Sequence, residues 1–118
     1  MLFRVDPASS VPLGDQIAAC VRGALADGTA APGERLPAAR ELADSLGVNV
    51  HTVLRGYQRL REEGLIELRR GRGALIVPGA TAPDRARLVT RLREAAAEAR
   101  DMGLTDDEFL DLARAGLQ

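Results

Sequence analysis

The stretch that decides the fold lies between residues 36 and 77: Leu36-Pro37-Ala38-Ala39-Arg40-Glu41-Leu42-Ala43, then Leu46-Gly47-Val48-Asn49-Val50-His51-Thr52-Val53, then Glu63-Gly64-Leu65-Ile66, and finally Gly71-Arg72-Gly73-Ala74-Leu75-Ile76-Val77. Apolar spacing predicts a helix over about 37–46, with Leu42, Ala43 and Leu46 facing inward and Pro37 at its first position, where a missing N–H costs nothing. Gly47 supplies the positive φ that a tight inter-helix turn requires, and Asn49 is placed to cap the next helix. That helix is expected to run to about Glu63, with Val53, Tyr57 and Leu60 inward and Val50 at the leading edge. Residues 65–68 and 74–77 read as two strands joined through Arg69-Arg70-Gly71-Arg72-Gly73. Two short helices meeting at a glycine, followed by an Arg/Gly-tipped hairpin, make the pattern of a winged helix-turn-helix, which presents one helix and one hairpin tip to a duplex. DNA is the partner this arrangement implies.

Working outward, Ser10-Val11-Pro12 opens an earlier helix whose apolar positions Leu13, Ile17, Cys20, Val21, Ala24 and Leu25 recur at helical spacing until Gly28 ends it. This helix reads as core scaffold, and Pro32-Gly33 then marks a turn. On the second motif helix, His51, Thr52, Leu54, Arg55, Gln58, Arg59 and Arg61 are left for solvent and DNA. The first turn is the part expected to enter the major groove, because there the side chains and the positive helix end both point at the duplex.

The whole chain carries a net charge of −1 with a pI near 5.8, which at first opposes a polyanionic partner. Distribution answers the objection. Residues 49–73 hold six Arg against three acids, a net of +3, whereas residues 80–118 hold six Arg against eight acids, a net of −2. Every basic residue is Arg, so a Lys-dependent phosphate loop is excluded. At 118 residues there is room for one modest core with an appendage and for no separate catalytic domain. No 18-residue apolar stretch occurs, and Met1-Leu2-Phe3-Arg4-Val5-Asp6 lacks the order of a signal peptide, so a cytoplasmic location is expected. The lone Cys20 cannot form an internal disulfide and is expected as a small core residue.

Pro78-Gly79-Ala80-Thr81-Ala82-Pro83 interrupts all periodicity and reads as a hinge. Beyond it Leu88, Leu92, Ala95, Ala96, Ala99 and Met102 mark one helical face, ended by Gly103. Thr105-Asp106-Asp107-Glu108 is a capping box, after which Phe109, Leu112, Ala113 and Leu117 mark a second face. Two such helices cannot enclose a core alone, so the same pair from a second subunit is expected to cover them, with Leu88, Leu92, Ala96, Ala99, Phe109, Leu112, Ala113 and Leu117 as the dimerisation set. The fold class is thus mainly α with a small β-hairpin. The organisation expected is a winged helix-turn-helix DNA-binding domain over 1–78, a hinge over 79–83 and a two-helix C-terminal dimerisation region over 84–118.

Pro-Leu and Gln-Ile within 12–17, Pro-Gly-Glu-Arg-Leu-Pro at 32–37, Arg-Glu-Leu-Ala at 40–43, Leu-Gly-Val at 46–48, Thr-Val at 52–53, Tyr-Gln-Arg-Leu at 57–60, Glu-Gly-Leu-Ile at 63–66 and Gly-Arg-Gly at 71–73 together resemble the GntR family of bacterial transcription regulators. The short C-terminal part resembles the YtrA-type branch, in which two C-terminal helices dimerise the protein. The resemblance implies phosphate or base contacts from Arg40, from Asn49, Val50, His51 and Thr52, and from the wing tip Gly71, Arg72 and Gly73. Arg55 and Arg70 join this set by charge and position. The chain departs from the pattern at Val50, where many members carry Arg, and at Gly14, where an aromatic residue is common.

Each assignment has a plainer counterpart. Arg40 could merely pair with Glu41, Asp44 or another surface acid, Thr52 could merely cap its helix, and Tyr57 on the apolar face reads as core rather than as a stacking platform. His51 is the only histidine and has no neighbouring ligands, so neither metal nor cofactor is expected. No Ser/His/Asp or Cys/His constellation is present, so no enzyme is expected. A winged helix serving only protein interaction would lack the basic wing and first turn found here. The expected function is a sequence-specific repressor that binds a palindromic operator as a homodimer, and the resemblance further implies a promoter controlling a transporter operon. A small-molecule effector is possible, and the C-terminal unit would have room for one only at the dimer interface or between its helices and the DNA-binding domain.

Overall fold

The computed structural model describes residues 1–71 and 73–118. Its described elements are α1 (Leu13–Asp27), α2 (Ala39–Leu46), α3 (Val50–Glu62), β1 (Ile66–Arg69), β2 (Gly73–Ile76), α4 (Ala82–Asp101) and α5 (Asp106–Ala115). The order is that of a winged helix-turn-helix with a C-terminal helical region. The chain divides into two compact units, Met1–Arg87 and Leu88–Gln118.

In the first unit, Ile17, Val21, Leu25, Val53, Leu60, Leu65 and Ile76 are the largest fully buried side chains, and they come from α1, α3 and the hairpin. The strands pair antiparallel with Ile66 opposite Ile76 and Arg69 opposite Gly73. Residues 33–36 lie along the other edge of β2. There Ile76 N–H donates to the Glu34 carbonyl at 2.8 Å, Leu36 N–H donates to Ala74 at 2.9 Å, and Arg35 forms a bridge with Leu75. Periodicity cannot reveal a pairing of so few residues.

α1 and α3 cross at two glycines. A Cβ on Gly56 would lie 2.8 Å from the Gly14 carbonyl oxygen and 3.1 Å from Ile17 Cγ2, so only a hydrogen fits there. A buried ion pair locks the same two helices: Arg22 Nε meets Glu63 Oε1 at 2.8 Å and Arg22 Nη2 meets Oε2 at 3.2 Å. Arg22 is only 5% exposed.

Four expectations need correction. Pro37 is not the first residue of its helix. α2 begins after Ala38, and Pro37 stays outside because its carbonyl accepts the Tyr57 hydroxyl at 2.6 Å while Leu36 is held by Ala74. Cys20 is only half-buried, with its thiol directed at the Arg4 carbonyl at 3.4 Å, because it falls at the rim of the apolar stripe. The expected hinge is shorter: α4 already includes Ala82 and Pro83, since Ala82 and Ala86 are buried in the main core and a proline in a first helical turn forfeits no bond. The first unit also continues past the expected boundary, because Arg85 Nε donates to the Glu63 carbonyl at 2.8 Å and Arg87 Nη1 to the Ala26 carbonyl at 2.5 Å.

In the second unit, Thr105 caps α5 in a reciprocal capping box, its hydroxyl accepting from Glu108 N–H at 3.2 Å and its own N–H donating to Glu108 Oε1 at 3.0 Å. The Thr105 backbone N–H, with a contribution from its hydroxyl, holds the Glu108 carboxyl below the usual carboxylate range. Leu88, Leu92, Leu112, Ala113 and Leu117 are exposed, while Ala96 and Phe109 are half-buried. Ala99, expected on the dimer face, is 5% exposed within the single chain, so it is already covered without a partner.

Two helical glycines give a matched test of the α1/α3 crossing. A Cβ at Gly23 of α1 meets nothing within 4 Å, so Gly23→Ala should stabilise the protein by about 0.5–1 kcal/mol through helix propensity. Gly56→Ala should instead destabilise it by about 1–3 kcal/mol, because the backbones must part. Urea denaturation of both variants measures the contrast; equal shifts would show that the crossing is not tight.

Candidate nucleic-acid interface

The face begins at the start of α3. Asn49 takes an extended conformation, and its side chain accepts from His51 N–H at 2.9 Å, which satisfies one of the free donors of the first turn. Gly47, at φ +68°, turns the chain from α2 into this cap, and its N–H closes the end of α2. The cap leaves His51 exposed, with Val50 and Thr52 half-buried on either side. Val50 packs against the core, and the Thr52 carbonyl faces Gly14 of α1. Along α3, Val53, Gly56, Tyr57 and Leu60 turn inward, which directs His51, Arg55 and Gln58 outward.

Two further elements border this surface. Arg40 stands exposed in the first turn of α2, and Arg70, Gly71 and Gly73 stand exposed at the hairpin tip. Gly71 at φ +78° and Gly73 at φ +71° make the turn possible, since the left-handed region is costly for other residues. Arg72, placed at the wing tip by the sequence, lies outside the described residues. The start of α2 and the hairpin tip line a common cleft through Pro37, Ala38, Glu41, Gly71 and Gly73. A second groove runs between α3 and β1, lined by His51, Leu54, Arg55, Gln58 and Leu68. The three elements therefore adjoin.

Ion pairing sorts the arginines. Arg22 is locked by Glu63, Arg59 reaches Asp15 of α1 at 3.5 Å, and Arg69 pairs with Glu67 at 2.8 Å. Among the described residues, Arg4, Arg40, Arg55, Arg61, Arg70 and Arg91 are exposed and form no ion pair; of these, Arg40, Arg55 and Arg70 border this surface, neither Glu41 nor Asp44 taking up Arg40. An exposed guanidinium without a partner can take a bidentate phosphate without first breaking a bond. Helical spacing leaves Leu54 among the residues for solvent and DNA without choosing between them; it is 47% exposed on α3.

Residues 13–76 match the model of the bacterial regulatory protein family gntR. The chain belongs to that family. The HTH-type transcriptional repressor YtrA of Bacillus subtilis is 40% identical over 75 residues, which is 64% of this chain and 58% of YtrA, so the matched part spans less than two thirds of that relative. The solved structure of YtrA from Sulfolobus acidocaldarius, a GntR-family transcription factor, has a TM-score of 0.63 at 33% identity and covers 82% of this chain and 99% of its own. The DNA-binding domain of AraR, solved in complex with operator ORX1, has a TM-score of 0.55 at 26% identity over 64% of this chain and 93% of its own. The chain is similar to regulators of the short YtrA type. No helix among the described residues is long and apolar enough to cross a membrane.

Tyr57 positions the face, joining α3 to the segment before α2 through its bond to Pro37. Burial pushes its hydroxyl well above the ordinary tyrosine range. Below pH of about 10 both folded and unfolded chains keep the proton, so stability is full; above it the unfolded chain ionises first, and stability should fall by up to about 1.4 kcal/mol per pH unit. Tyr57 is the only tyrosine, so absorbance titration reads it directly. Tyr57→Phe should cost about 1–3 kcal/mol at neutral pH and abolish the alkaline decline. A native titration near 10 would disprove this burial.

Proposed function

We propose that the chain is a transcriptional repressor that binds a palindromic operator as a homodimer and blocks a promoter, with a transporter operon as its target class. The observation that carries the reading is the capped first turn of α3, exposed beside three arginines with no acid attached. In this reading α3 enters the major groove, with Asn49, Val50, His51, Thr52 and Arg55 at the base edges and nearby phosphates. Arg40 and the wing residues Arg70, Gly71, Arg72 and Gly73 hold the flanking backbone. Two relatives support it: the transcriptional repressor YtrA and the AraR domain solved in complex with operator ORX1.

A two-fold dimer doubles the number of bases one short helix can read. The exposed Leu88, Leu92, Leu112, Ala113 and Leu117, with half-buried Ala96 and Phe109, supply the apolar surface for a second copy. Ala99 is left out of that surface because it is already covered.

Selection from randomised duplex DNA should enrich a palindrome. With roughly six or more phosphates neutralised, affinity should fall about a thousandfold between about 50 and 200 mM salt. Arg40→Ala and Arg55→Ala should each weaken binding while leaving the melting temperature nearly unchanged. Salt-independent binding, or no enriched sequence, would sink the proposal and favour a winged helix that meets only proteins.

The dimer has its own test. A chain ending at Arg87 keeps Ala82, Ala86 and the Arg85 and Arg87 bonds, so it should fold, and light scattering should find it monomeric. It should hold a single half-site as before yet bind the full palindrome far more weakly, because a tethered second domain acts at an effective concentration on the order of millimolar. A shortened chain that still dimerises would place the interface elsewhere.

A further inference from the structure

We infer that Leu54 reads thymine in the operator half-site, through the C5-methyl group. The inference rests on the DNA-binding reading above and specifies which chemistry the α3 surface recognises. Leu54 is 47% exposed and takes no part in the core cluster, so packing does not account for a leucine there. It lies one turn beyond Val50, so the two branched side chains share a ridge on α3. Val50 has its inner side on the core, which leaves Leu54 as the member of that ridge that projects. Its exposed neighbours in the groove are His51, Arg55 and Gln58, all able to hydrogen-bond, and Leu68 of β1, which widens the apolar lip.

A single exposed leucine is ordinary on a protein surface. The position of this one is what matters. It sits in the N-terminal half of the helix that enters the major groove, at the lip of the groove between α3 and β1. Major-groove edges of guanine, cytosine and adenine present donors and acceptors that leucine can only desolvate, whereas thymine also presents a methyl group. Leu54 therefore favours thymine over cytosine at the base it meets, while the polar residues beside it supply the hydrogen bonds. The same contact gains nothing from uracil, which pairs identically and lacks only the methyl.

The experiment replaces each thymine of the selected operator by deoxyuridine, one symmetric pair at a time, and measures binding by titration. At one pair, affinity should fall about fourfold for each methyl removed, the effect of burying one such group. Leu54→Ala should bind thymine and uracil operators equally at that pair, and Val50→Ala should keep the difference. Leu54 is exposed, so its melting temperature should hold; the substitutions on the DNA side test the parent protein whatever the variant does. Indifference of the parent to every uracil substitution overturns the inference, as does a uracil effect that survives Leu54→Ala. Failure to enrich any operator is a different result, since it overturns the DNA-binding reading on which the inference stands.

Discussion

The buried ion pair between Arg22 and Glu63 holds the corner on which the DNA-binding unit depends. Taking two charges out of water costs several kcal/mol for each, and only good geometry with additional bonds offsets it. Here the contact is bidentate, and the same corner is held a second time by Arg85, whose Nε donates to the Glu63 carbonyl. Gly64 follows at φ +73°, with Arg85 so close that a side chain there would meet the guanidinium at 2.8 Å. The last turn of α3, the first strand of the wing, the scaffold helix and the start of α4 are thus joined at one point. Losing either partner of the pair would strand a buried charge on the other, so the α3-to-wing angle depends on residues that no DNA could touch.

This corner also explains how a chain of net −1 can present a cationic face. Its arginines divide by the company they keep. Arg22, Arg59, Arg69, Arg87, Arg100 and Arg114 are held by carboxylates, and those charges cancel locally. Arg4, Arg40, Arg55, Arg61, Arg70 and Arg91 are exposed without one among the described residues, and of these Arg40, Arg55 and Arg70 lie at the start of α2, on α3 and at the hairpin tip. Total charge therefore says little about the field at the face, because most acids are spent within pairs or lie on the C-terminal helices.

Local chemistry was legible from the sequence wherever it acts over a few residues. Gly47 had to turn left-handed, Asn49 had to cap, Val53, Tyr57 and Leu60 had to face inward, and Thr105 with Glu108 had to close a box; all four follow from spacing within one turn or two. What escaped depends on distant partners. Arg22 finds Glu63 forty-one residues away, and residues 33–36 find β2 at a similar remove, so neither leaves a local pattern. The misplacement of Pro37 has the same origin. A rule about helix starts was overridden by a hydroxyl twenty residues on.

The two glycines at the α1/α3 crossing bring these threads together. At Gly14 and Gly56 the helices meet through main-chain atoms. A side chain at 14 would find the Thr52 carbonyl at 3.2 Å and Arg55 Cβ at 3.4 Å. Both of those residues belong to the proposed reading surface, so the recognition helix is seated on α1 at its working end rather than behind it. A backbone-to-backbone seat has no rotamers to adjust, and close-packed contacts transmit displacement instead of absorbing it. The absence of a side chain at 14 and 56 therefore fixes how far the first turns of α3 stand out from the scaffold, and with it how deeply His51, Leu54 and Arg55 can reach into a groove.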